Sequence, residues 1–479
     1  MLKTYVSPIK GNGVLEYCET PKKIIACAYF LKFMKIIIAG AGAVGFHLAA
    51  LLAKENQDIT IIDTDGDVLN HASNHLDVLT IKGDTTSIGT LRQAEVEKAN
   101  LFIAVTTSEK TNLLSAILAC QEGAKKTIAR VKNSEYLESD QLENFHQHGI
   151  DWLISPNQLA AEEIQRLLKR SSFTDIYEFE GGKISIVGLT LDNRSPLIGQ
   201  TVKAIERLAP DFVFRGIAIL RNHDTLIPHR NTVLKKGDHL YLSVLHQHLD
   251  KATIFAGKQL KTIEKVMILG GTPLAFRTAQ LLEDKYAISL IVEDKEVGER
   301  LLEKLHNTLI INTPFNNVDG LKKEGLENMD AFIALTPNSE INIISSLMAE
   351  EVGVYKTIAS VDNVDYIHIS QNIGIDTIIN KKLVAANEIF RFIRKGKIAA
   401  IASLHGVDAE IIEFIVHKNN RLVKHPLCEL HFPETSIVAG VIREEEAIIP
   451  DENFTFQLND KVIVFALPEA MNRVENLFR

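Results

Sequence analysis

The chain has 479 residues, 46% of them hydrophobic and 24% charged, which is long enough for three or four ordinary domains with well-filled cores. Its formal net charge of −9 argues against a broad basic surface for nucleic acid. The four cysteines (Cys18, Cys27, Cys120, Cys428) are far apart and form no CxxC pair, so neither a zinc site nor a disulfide framework is indicated.

Residues 1–33 differ in character from the rest of the chain. The segment Lys22–Phe33 pairs a basic flank with a short apolar run, as signal peptides do, but lacks a small-x-small cleavage site. No stretch approaches the roughly 18 uninterrupted apolar residues of a membrane span. We expect Met34 to be the functional start and 1–33 to be an N-terminal extension.

Organised sequence begins with "KIIIAG", a β-branched run suited to a strand buried on both faces. The hexapeptide Gly40-Ala41-Gly42-Ala43-Val44-Gly45 comes next as a G-x-G-x-x-G, and then an apolar pattern with helical spacing. In such a turn the first glycine permits the tight bend, the second lets a pyrophosphate approach the backbone, and the third lets helix and strand pack closely. The helix N-terminus adds free N–H groups and partial positive charge. The next strand, "DITIID", ends in Asp63, placed to accept hydrogen bonds from ribose hydroxyls and to repel a 2′-phosphate. NAD(H) is therefore preferred to NADP, and ATP or ADP is a second fit.

An internal repeat sets the architecture. The stretch starting at Lys35 returns at Lys265, and Asn100–Val131 returns as Asp330–Val361 without a gap. "GIDWLISPNQLAAEEI" returns as "GIDTIINKKLVAANEI", and "KKGDHLYLSV" resembles "QLNDKVIVFA". The chain thus reads as (A–B)–(A′–B′). The A units alternate strands and helices as α/β doubly wound parallel sheets, and the shorter B units are β-rich α+β modules. The stretch "ATIFAGKQLKTIE" is expected to be a linker, and the duplication predicts pseudo-twofold pairing of the halves.

The second copy departs from the first at telling places. Thr272 stands where the first has Gly42, Ala275 for Gly45, Pro314 for Asp84 and Ser360 for Arg130, while Pro273 enters the turn. A side chain at 272 should crowd a pyrophosphate, although Glu293, opposite Asp63, retains a carboxylate for a ribose. The halves are expected to be functionally unequal.

The segments "MKIIIAGAGAVG", "IIDTD", "IKGDTT", "FIAVTTSEKTNL", "KTIARV", "GIDWLISP" and "ILRNHDTLIP…KKGDHLYL" together give Met34–Arg479 its resemblance to the TrkA family. These are regulators of Trk-type potassium uptake built from tandem RCK (KTN) domains. The resemblance implies RCK N-terminal, Rossmann-like domains over 34–155 and 264–380, and small RCK C-terminal domains over 173–252 and 398–479. It further implies that NAD(H) or an adenine nucleotide is bound without turnover. Gly40, Ala41, Gly42, Ala43, Val44 and Gly45 would line the pyrophosphate, Asp63 would hold the adenosine ribose and Asp84 would border the adenine. Thr106 and Thr107 would border the middle of the dinucleotide, or else cap the following helix. Arg130 would neutralise phosphate charge, or else form a subunit salt bridge.

No catalytic constellation is visible in the B units. The pair His146 and His148 reads as a solvated helix end rather than a metal site. The implied assembly is a homo-oligomer, a tetrameric ring, lying in the cytoplasm at the inner face of the membrane beneath a potassium-translocating partner. A regulator of another potassium channel or efflux system shares the same site chemistry. A soluble NAD-dependent oxidoreductase is the rival from another class, and it would need a substrate domain presenting an acid or base to the nicotinamide.

Overall fold

The computed structural model describes residues 34–478 apart from 54–56, 210–211, 223, 364–365, 367–374, 376, 395–400, 404–408 and 418–420. The N-terminal extension expected over 1–33 lies outside the described residues.

The first unit runs β1 (Lys35–Ala39), α1 (Ala43–Ala53), β2 (Asp58–Asp63), α2 (Gly66–His75), β3 (Leu79–Lys82), α3 (Ile88–Gln93), β4 (Leu101–Ala104), α4 (Glu109–Gln121), β5 (Thr127–Arg130), α5 (Ser139–Gln147), β6 (Trp152–Ile154) and α6 (Pro156–Lys169). Its six strands are parallel in the order β3-β2-β1-β4-β5-β6. The order reverses between β1 and β4, which opens a crevice at the carboxyl ends of those strands. Ile36, Ile37 and Ile38 are wholly buried, as an apolar central strand requires, and each contributes roughly 1.5–3 kcal/mol of burial.

A small antiparallel unit comes next: β7 (Asp175–Phe179), β8 (Ile184–Thr190), α7 (Val202–Leu208), β9 (Phe214–Arg221), β10 (Asp224–Leu226), β11 (His239–Leu245) and α8 (Leu249–Phe255). Its sheet order is β10-β9-β11-β8-β7. The expected linker is in part helical. Leu249, Ala252 and Ala256 share one face of α8 and its end and are buried in this unit's core, while Ile263 is already buried in the next.

The second half repeats the plan. β12 (Lys265–Leu269), α9 (Pro273–Leu282), β13 (Ala287–Val292), α10 (Lys295–Leu302), β14 (Thr308–Asn312), α11 (Val318–Lys323), β15 (Ala331–Ala334), α12 (Ser339–Glu351), β16 (Lys356–Ser360), β17 (Thr377–Ile379) and α13 (Lys381–Arg394) lead to β18 (Ile401–Ser403), β19 (Glu410–Ile415), β20 (Ser436–Arg443), β21 (Glu446–Ile448), β22 (Lys461–Ala466) and α14 (Pro468–Phe478). The sheet orders, β14-β13-β12-β15-β16-β17 and β18-β19-β22-β20-β21, reproduce those of the first half.

The halves are joined by exchanging helices. Ser155 caps α6 and Pro156 occupies its first turn, so the chain leaves β6 as a clean helix. Ala160, Ala161, Ile164, Leu167 and Leu168 of α6 pack against Leu274, Ala275, Ala279 and Leu282 of α9 in the other half. Reciprocally, Ala385, Ala386, Ile389 and Phe390 of α13 pack on Val44, Leu48 and Leu52 of α1. Gln165 donates to the Leu281 carbonyl at 3.0 Å, and the Phe392 ring stacks on Trp152 at 4.5 Å. The two small sheets also meet face to face, through Ile184, Ile186 and Tyr241 on one side and Ile411, Ile463 and Phe465 on the other.

Candidate functional site

The predicted residues of the first unit gather at the crevice between β1 and β4. Gly40 has φ +111°, and a Cβ there would lie 2.9 Å from the Thr106 backbone nitrogen, so only glycine lets the two loops meet. A Cβ on Gly45 would sit 1.9 Å from the Gly40 carbonyl oxygen, which is the close helix–strand contact assigned to the third glycine. Gly42 differs, because a Cβ there would meet nothing within 4 Å. Space therefore stands open in front of the α1 N-terminus, where Gly42 offers no side chain to cap the first N–H groups.

Asp63 closes one flank. Its carboxylate accepts from the Ala41 N–H at 2.7 Å and from the Asp65 N–H at 3.0 Å, which holds the glycine loop against the end of β2. Its carbonyl accepts from the Gly83 N–H at 2.9 Å, and Asp84 stands two residues past the end of β3. Asp84 is exposed, and the Thr86 N–H and hydroxyl hold its carboxyl below the usual carboxylate range.

The other flank depends on a residue that the sequence alone does not single out. Buried Asn112 accepts from the Thr106 N–H at 2.8 Å and from its hydroxyl at 2.6 Å. It donates to the carbonyls of Thr106 at 3.1 Å and Arg130 at 2.9 Å. One side chain thus ties the end of β4 to the end of β5. The signal was present in the repeat: Asn342 makes the same four bonds to Thr336 and Ser360. The cap of α4 is Ser108, which accepts from Thr111, while Thr107 is exposed at the rim.

Arg130 is half-buried at the end of β5, and its Nε is buried with no hydrogen-bond partner among the described residues. Burial alone pushes the guanidinium down from its ordinary value. A cation with an unsatisfied N–H at the end of β5, and an uncapped helix N-terminus with an open glycine at the end of β1, are groups of the kind that a phosphate completes.

In the second unit the same place is filled from within. Thr272 caps α9, accepting from the Ala275 N–H at 3.2 Å and donating its hydroxyl proton to the Leu335 carbonyl at 2.8 Å. Glu293 turns away from the loop and accepts from the Phe315 N–H at 2.8 Å. Ser360 supplies no cation, and Pro314 no carboxylate.

The small units hold paired clamps that were not among the sequence-based expectations. Arg221 grips both carboxylate oxygens of buried Asp238 at 2.7 Å, and Arg443 grips Asp460 at 3.0 and 2.8 Å. Both pairs are 17 residues apart, a recurrence within the repeat that could have revealed them. Among the described residues no group of three or more His, Cys, Asp or Glu could hold a metal ion.

The TrkA-N domain model matches residues 36–156 and 266–381, and the TrkA-C domain model matches 186–263 and 411–479. The chain belongs to the TrkA family. The Trk system potassium uptake protein TrkA of Haemophilus influenzae is 32% identical over 459 residues, covering 93% of this chain and 99% of that protein. Its counterpart in Halomonas elongata is 31% identical over 451 residues, with the same two coverages. Among solved structures, the GsuK RCK domain superposes with a TM-score of 0.56 at 15% identity, covering 94% of this chain and 96% of that one. A structure of the GsuK channel bound to NAD gives 0.56 at 15% identity, covering 94% and 79%. At such identity these likenesses speak for the fold. The two TrkA-N units are Rossmann-like and the two TrkA-C units are small antiparallel domains, as the alternation of elements predicted. Among the described residues no helix is long and apolar enough to cross a membrane.

Proposed function

We propose that this chain is the nucleotide-binding regulatory subunit of a Trk-type potassium uptake system, and that its first TrkA-N unit carries the working site. The carrying observation is the cradle at the β1–β4 crevice: an open Gly42, an uncapped α1 and the unpartnered Nε of Arg130. The residues fit a dinucleotide. Gly40–Gly45 and Arg130 would hold the pyrophosphate, Asp63 the adenosine ribose, Asp84 the adenine side, and Thr106 and Thr107 the middle. Relatives named for potassium uptake and a similarly folded channel structure bound to NAD support NAD(H), with ATP or ADP as the second fit.

The ligand acts by binding rather than by reaction. The groups named at the crevice all belong to the TrkA-N unit, and none is an acid or base supplied by a TrkA-C unit, so nothing in the geometry speaks for hydride transfer. Regulation requires a nucleotide with different affinities for two arrangements of the assembly. We place the chain in a tetrameric ring at the cytoplasmic face of its membrane partner, with modules over 34–155, 173–252, 264–380 and 398–479.

Calorimetric titration of the full chain tests this reading. About one NADH per chain is expected, with NADPH bound far more weakly. Two equivalent sites, or equal affinity for both cofactors, would overturn the assignment. NADH oxidation with a panel of carbonyl substrates would instead favour an oxidoreductase.

A further inference from the structure

The interface between the two TrkA-C sheets is built on apolar side chains, with Arg215 donating to the Pro450 carbonyl and Arg230 pairing with Glu452 across it, and it buries one carboxylate. Glu413 lies in the middle of β19, on the same side of the strand as Ile411, which packs against the opposite sheet. It is wholly buried, and neither carboxylate oxygen has a hydrogen-bond partner among the described residues. Ile415, two residues further along β19, is paired with Lys461 of β22, and the carboxylate that Lys461 holds comes from the other TrkA-C unit: it is Glu180, just after β7, which interacts with Glu413. Lys461 of β22 donates to Glu180 at 2.6 Å. Behind this group, Lys183 from the first unit pairs with Glu445 from the β20–β21 turn. One ammonium therefore serves two facing carboxylates, and it is bonded to the more exposed of them.

We propose that Glu413 and Glu180 share a single proton across this interface, making the contact a clamp between the two TrkA-C units that closes when protonated and loosens when the proton is lost. In the closed form the O–H of one carboxyl donates to a carboxylate oxygen of the other. When the proton leaves to solvent, two negative charges face each other in a largely apolar seam, with Lys461 the cation that interacts with both of them.

Burial, and then the charge of Glu180, raise the Glu413 carboxyl to about 7, with Lys461 pulling the other way. Between the ordinary carboxyl value of 4.5 and about 7 the folded chain binds a proton that the unfolded chain has lost. The stability contributed by the clamp is therefore full at acid pH and declines as pH rises through about 7. No nucleotide takes part in the clamp, which is independent of the proposed site.

The test is the thermal midpoint of the full-length chain from about pH 5.5 to about pH 8.5, for wild type and Glu413→Gln. Glutamine keeps the shape and can donate to Glu180 at every pH. The wild-type midpoint should fall relative to that of Glu413→Gln as pH rises through 7. An infrared difference spectrum between the acid and alkaline ends should show a protonated-carboxyl band that is absent from the variant. Parallel midpoint curves, or a band that survives the substitution, would overturn the proposal. Should Glu413→Gln fail to accumulate, Glu180→Gln is the second variant. Removing the facing charge should move the titration of that band to lower pH, and an unmoved titration would count against the shared proton.

Discussion

The two TrkA-N units share a sheet order, a first-helix turn and an asparagine that ties the fourth strand to the fifth, yet they treat one small volume in opposite ways. In the first unit Gly42 leaves it open, and Arg130, at the end of β5, keeps an Nε with no partner among the described residues. In the second, Thr272 fills it with a hydroxyl that satisfies the helix end and the Leu335 carbonyl together. The asparagine network persists where the cradle does not, which separates the requirements of the fold from those of the ligand. Asn112 and Asn342 hold strands in place, whereas Gly42 and Arg130 leave needs that the protein itself does not meet.

The comparison breaks most sharply at Gly42. Gly42→Thr copies the second unit into the first, and the open space around that position lets the variant fold. Calorimetry should show nucleotide stoichiometry falling from about one per chain toward zero. Thermal stability without nucleotide should rise slightly, by a few tenths of a kcal/mol for the new cap. Binding and stability thus move in opposite directions, which a merely misfolded variant would not show.

Arg130→Ser makes the next exchange, giving the first unit the residue found at Ser360. Loss of a charge-assisted bond to phosphate should weaken NADH by roughly 1.5–3 kcal/mol in calorimetry. The asparagine network reaches only the backbone carbonyl of residue 130, so the melting curve without nucleotide should hardly change. Unchanged affinity would move Arg130 out of the site.

Asp63→Ala should weaken NADH by roughly 1–3 kcal/mol and narrow its advantage over NADPH, because the charge opposing a 2′-phosphate is gone. The variant also loses the bonds to Ala41 and Asp65, so affinity for both cofactors should drop somewhat. A titration in which the NADH preference survives intact would assign that selectivity elsewhere. Thr272→Gly has the smallest expected effect. It should lower stability by a few tenths of a kcal/mol and leave stoichiometry at about one, since Pro314 and Ser360 still lack the groups of Asp84 and Arg130. A second nucleotide bound by this variant would show that the Thr272 hydroxyl alone blocks the site.

Much of this was legible in the sequence. An uninterrupted β-branched strand, a glycine hexapeptide and an acid closing the next strand constrain one another, and the repeat supplies every feature with a control copy. Other features were hidden for physical reasons. The amphipathic stripe of α6 says that a face is buried but not in whose core, so the exchange with α9 could not be read from periodicity. "EIIEFI" shows an acid inside an apolar strand, but the carboxylate opposite it comes from Glu180, far away in the chain. Arg130 was visible as a cation at a strand end. The absence of a partner for its Nε among the described residues depends on surroundings that no stretch of sequence contains.

The exchange of α6 and α13 bears on how such a chain can diverge. In a symmetric dimer of identical subunits every substitution is made twice, so a pocket cannot be lost on one side and kept on the other. Here both halves lie on one polypeptide and are geared by helices seated in each other's flanks. A tilt of α1 on its ligand would push against α13, which is rooted in the half whose own pocket is plugged. If only the first half binds nucleotide, as proposed, the other is free to drift in its loops while still being obliged to move, a passenger that has kept its place in the linkage.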